Sequence, residues 1–107
     1  MNGKLIKYLN KTRNSKKDNI RAILFSEDTF TYYYLFDISM ENKKCVMMCE
    51  PINASRPYCE LYSVYLEEIQ YYIGPYQIVD GRSLGMPYKQ VLKRLKKVEE
   101  RLLTMSY

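Results

Sequence analysis

The sequence predicts an α+β fold: a three- to four-stranded antiparallel sheet packed by a C-terminal amphipathic helix and a middle helix, with a short N-terminal helix. Three observations point there. The run Phe30-Thr31-Tyr32-Tyr33-Tyr34-Leu35-Phe36-Asp37-Ile38 is the most aromatic in the chain and holds no Gly or Pro. Aromatic and β-branched residues suit a pleated, half-buried surface, so this run reads as a central strand. Near the C-terminus Val91, Leu92, Leu95, Val98, Leu102 and Leu103 recur at helical spacing. Between the first apolar segments stand turn-forming clusters, Glu27-Asp28-Thr29 and Glu41-Asn42-Lys43-Lys44. With 107 residues there is room for one domain, spanning 1–107, and one core.

Taken in order, residues 3–10 predict a short helix, with Leu5, Ile6 and Leu9 on one stripe and Lys4, Lys7 and Lys11 facing away. A helix of two to three turns is marginal alone, so it must dock on the domain. Residues 10–19 contain no apolar side chain and read as a basic loop. Ile20 to Ser26 alternates as a strand and forms a hairpin with the aromatic run. In the aromatic strand a period of two puts Phe30, Tyr32, Tyr34, Phe36 and Ile38 on one face. That face is expected to meet a helix. Thr31, Tyr33, Leu35 and Asp37 form the mixed face, expected to be solvated or half covered. Cys45 to Glu50 is a third strand, stopped by Pro51.

Residues 58–73 fit two patterns. Leu61, Val64, Tyr65, Ile69, Tyr72 and Ile73 follow helical spacing, yet Leu61 to Leu66 is also acceptable as a strand. Sixteen residues exceed an ordinary strand, so length favours a helix, ended by Gly74-Pro75. Tyr76 to Val79 reads as a short edge strand before Asp80-Gly81. Pro87 suits the first turn of the last helix, which runs to about Met105. The two long helices are expected on one face of the sheet.

Charge is unevenly spread along a chain of net charge +5. Residues 1–21 hold seven Lys or Arg against one acid, residues 22–87 four against nine, and residues 88–107 six against two. The basic ends either neutralise the acidic middle or meet nucleic acid or an acidic surface. In the second case Lys4, Lys7, Lys11, Arg13, Lys16, Lys17 and Arg21 would join Lys93, Arg94, Lys96, Lys97 and Arg101 on one surface, as a footprint for a phosphate backbone.

The composition leaves little for catalysis. There is no His, which removes the commonest general base and metal ligand. If Cys45 and Cys49 lie on a strand they are about 13 Å apart, too far for a disulfide or a shared ion. With Cys59 as the remaining thiol, no closed zinc site is expected. Glu41-Asn42-Lys43 matches half of a metal-dependent nuclease motif, with Asp28 or Asp37 as a first carboxylate, but such triplets arise by chance. The four Gly are too dispersed to cradle a phosphate. The sequence therefore predicts no enzyme and no cofactor.

An odd Cys count with no secretory signal fits a reduced, cytoplasmic chain. The longest charge-free run, Ile69 to Val79, is too short to span a bilayer, so no membrane partner is expected. Twelve Tyr against three Phe and no Trp is the compositional outlier. Tyr collects at half-buried positions and binding surfaces, because its ring buries area and its hydroxyl wants a partner. The function expected is non-catalytic protein binding, as an accessory or inhibitor protein of the phage or mobile-element kind, with Tyr33 and Tyr62 as aromatic anchors. Nucleic-acid binding through the basic ends is the alternative. Association into homo-oligomers is compatible with either.

Overall fold

The computed structural model describes residues 2–12, 15–52 and 61–105, with side chains through Lys97. The elements are α1 (Asn2–Lys11), β1 (Ala22–Ser26), β2 (Thr31–Ser39), β3 (Lys44–Pro51), β4 (Leu61–Tyr65), α2 (Ile69–Ile73), β5 (Tyr76–Val79) and α3 (Tyr88–Met105). A 3₁₀ turn, Leu66–Glu68, joins β4 to α2. The strands form one antiparallel sheet in the order β4-β3-β2-β1-β5. The α+β architecture is as predicted, with five strands rather than three or four. The extra strand comes from the ambiguous segment. Residues 61–65 pair with β3 and residues 69–73 turn into a helix, so both readings of that stretch hold, each over part of it. Residues 58–60, also assigned to it, lie outside the described residues.

The aromatic strand is central, and both of its faces are buried. Tyr34 and Phe36 pack with Ile23, Met48, Val91 and Leu95, so α3 covers the face expected to meet a helix. The Phe36 and Tyr88 rings stack there, 4.3 Å apart and 8° from parallel. The opposite face is not solvated. Tyr33 and Leu35 pack with Ala22, Leu24, Cys45 and Met47 under Leu5 and Leu9 of α1 and Ile69 and Ile73 of α2. The expectation of two long helices on one face is corrected accordingly: α1 and α2 lie on one side, α3 on the other.

Strand phase breaks at Asp37. Phe36 pairs with Val46 and Ser39 with Lys44, so two β2 residues oppose one on β3, which is a β-bulge. Asp37 adopts a positive φ of 50°, a conformation that Asp tolerates better than most residues. The extra residue turns Ile38 to the α1 side, away from the face it was assigned. Phe30, also assigned to that face, precedes the strand in the turn with φ 50° and is exposed.

Arg21 shows why a marginal helix docks. Its side chain is buried, and it donates through Nη2 to the Leu9 carbonyl at 2.6 Å and through Nε to Thr12 Oγ1 at 3.4 Å. A cation on the last carbonyls of α1 satisfies groups the helix cannot and complements its dipole. Burial lowers the Arg21 pKa from its ordinary value, as desolvation disfavours the charged form. On the same side, Ser26 Oγ donates to the Ile73 carbonyl and ties the end of α2 to β1.

Candidate functional site

Among the described residues, the covering layer on the α1–α2 side is incomplete. Helix α2 has five residues, too few to roof the end of the sheet where β2 begins and β3 ends. A groove of about 470 Å³ opens there. Its floor is Thr31 and Tyr33 from β2 with Met47 and Cys49 from β3. Tyr62 and Val64 of β4 form one wall, Tyr72 and Ile73 of α2 the other. Residues on alternate positions of paired strands share a face, which is why these side chains converge.

The two tyrosines expected to act as anchors both line this groove, in different roles. Tyr33 is 7% exposed, and its hydroxyl lies 2.9 Å from Thr29 Oγ1, so it shapes the floor and does not project. This corrects its assignment as an exposed anchor: a residue facing a covered layer cannot protrude. Tyr62 is 42% exposed and stands at the rim. Sequence reading missed Tyr72, 65% exposed, because a continuous helix over 58–73 places it on the buried stripe. Tyr65, placed on the same stripe, is also exposed, with Lys44 Nζ 4.7 Å from its ring centroid. Among the described residues, none of the lining side chains is charged.

The predicted basic surface is divided. Lys4, Lys7 and Lys11 are exposed on α1, whereas Lys93, Arg94, Lys96 and Lys97 are exposed on α3, across the sheet. Lys16 and Lys17 are exposed in the loop after α1. Arg21 is withdrawn from this set, since its guanidinium is buried against α1. Arg13 and the Arg101 side chain lie outside the described residues. Arg94 donates to Ser83 Oγ at 3.0 Å beside a smaller cavity of about 210 Å³ that also meets Arg82, Tyr32 and Tyr34. Arg82 carried no signal in the sequence beyond its charge.

Among the described residues, Glu41, Lys43, Asp28 and Asp37 do not converge. Glu41 and Lys43 are exposed in the β2–β3 turn, Asp28 sits in the turn at the other end of β2, and Asp37 lies 3.9 Å from Lys17 Nζ. Among the described residues no three His, Cys, Asp or Glu side chains are placed to hold a metal ion. No helix among them is long and apolar enough to cross a membrane.

Cys45 and Cys49 are free and differ in setting. Cys45 is buried, and burial, with a smaller contribution from the negative charge of Asp37, pushes its thiol up to about 12. Cys49 lies in the groove floor. Because the thiolate is the nucleophile, Cys45 should stay inert at neutral pH. Alkylation of the folded protein should label Cys49 first and Cys45 only on unfolding, as peptide mapping would read. Equal rates at the two positions would contradict this burial. Cys59 lies outside the described residues.

No protein-family model matches the chain, and no curated protein or solved structure is significantly similar to it.

Proposed function

We propose that the chain is a non-catalytic protein-binding accessory or inhibitor protein, acting in the cytoplasm, which takes an apolar or aromatic segment of a partner into the groove between β4 and α2. The observation that carries this reading is the groove lining: aromatic rings and Met47, with no charged side chain among the described lining residues. Aromatic residues and Met are enriched at protein interfaces, and charged side chains are depleted at their centres. Tyr62 and Tyr72 stand at the rim as rings ready to be covered. The described walls offer no cation to a phosphate.

Nucleic-acid binding is the second reading, and the exposed Lys93, Lys96 and Lys97 with Arg94 support it. With the basic sets on opposite sides of the sheet, each would engage a phosphate backbone alone. Salt and nuclease separate the two readings. Each neutralised phosphate adds roughly −0.7 to −0.9 to the slope of log affinity against log salt. The immobilised chain should retain a partner from lysate after nuclease treatment and at moderate salt. A partner released by nuclease, or a steep slope abolished by Lys93→Glu, Lys96→Glu and Lys97→Glu together, would favour the second reading and reject the first.

A further inference from the structure

We infer that the outer edge of β4 pairs with β4 of a second copy of this chain, making a two-fold symmetric dimer with one continuous sheet. The argument begins with the direction of the backbone. The Leu66 N–H donates to the Lys43 carbonyl at 2.8 Å, so Leu66 bonds inward to β3. In an antiparallel pair the inward-bonding residues alternate. With Cys45 opposite Val64 and Met47 opposite Tyr62, residues 62 and 64 also bond inward. The N–H and C=O groups of Leu61, Ser63 and Tyr65 therefore point away from β3, along the sheet edge that β4 forms among the described residues.

Those three positions are symmetric about Ser63. An antiparallel copy centred there sets Ser63 against the partner's Ser63, and Leu61 and Tyr65 against the partner's Tyr65 and Leu61. Every outward group then meets an outward group, giving about six hydrogen bonds across the axis. Tyr62 falls opposite the partner's Val64, an aromatic–β-branched pair of the kind that stabilises neighbouring strands. No charge lies on β4, so no like charges are opposed. An exposed edge is ordinarily guarded by Lys, Pro or a bulge, and β4 has none of these. The other edge strand, β5, has four residues bracketed by Pro75 and Asp80 and offers a shorter self-complementary run. This pairing does not depend on what the groove holds.

Sedimentation equilibrium of the full chain, with Ser63→Lys beside it, tests the pairing. The wild type should weigh as a dimer. Ser63→Lys, which sets two like charges directly opposite on the axis, should weigh as a monomer with the thermal transition of a folded protein. A second variant covers the case in which Ser63→Lys fails to fold. Directly bonded antiparallel residues have Cα atoms about 5.5 Å apart, within disulfide range. Mild oxidation of Ser63→Cys should therefore give a covalent dimer far faster than Glu41→Cys, an exposed control in the β2–β3 turn. A monomeric wild type, a Ser63→Lys dimer, or equal cross-linking of the two Cys variants would each overturn the proposal.

Discussion

Leu95→Asp should unfold the chain or lower its stability by several kcal/mol. Leu95 is 4% exposed and packs with Val91 against Tyr34, Phe36 and Met48. A carboxylate there would be desolvated among these apolar groups. Burying an unpaired charge costs several kcal/mol or forces the group to protonate. Domains of this size hold about 5–15 kcal/mol in all, so the loss approaches the whole. The acidic variant should recover part of its stability at low pH, where the carboxyl is neutral. Lys93→Ala and Lys97→Ala serve as controls from the exposed side of the same helix and should shift stability by no more than about 0.5 kcal/mol. Urea titration followed by circular dichroism reads all three. A Leu95→Asp midpoint equal to that of the parent would mean that α3 does not cover this face.

The parts of the fold that were legible in the sequence are those where one pattern rules a whole element. The aromatic run from Thr31 to Phe36, the hairpin before it and the last helix each carry a single period. The parts that were not legible share a cause, which is a change of period within one stretch. At Asp37 a bulge inserts one residue and moves Ile38 across the sheet, and nothing in Phe36-Asp37-Ile38 announces it. At Leu66 a strand becomes a helix, and Leu61, Val64, Tyr65 and Ile69 continue the helical spacing through the strand and hide the junction.

The candidate site was legible only as far as those periods were. Tyr62, named from the sequence as an aromatic anchor, stands at the groove rim and is 42% exposed. Tyr72 was lost because the unbroken-helix reading turns it inward, whereas the five-residue α2 leaves it 65% exposed. Tyr33 was misread for a reason local pattern cannot supply. Its face packs under both α1 and α2, and α1 docks through Arg21, a residue that resembles any other in a basic segment. Burial of a cation against a carbonyl 12 residues away is a tertiary event.

The groove is where the functional account stands or falls. Its walls are Tyr62 and Tyr72, exposed enough that their loss should leave the fold intact. A few aromatic side chains at the centre of an interface commonly carry most of the binding energy, at about 2 kcal/mol or more each. The decisive measurement is the affinity of a purified, nuclease-resistant partner for the wild type and for the double variant Tyr62→Ser with Tyr72→Ser, with matched circular dichroism. The double variant should stay folded and bind at least roughly 30-fold more weakly, while Lys93→Glu with Lys97→Glu should bind nearly as well as the wild type. Undiminished binding by the tyrosine variant, with loss of binding on reversing the α3 lysines, would contradict binding at the groove.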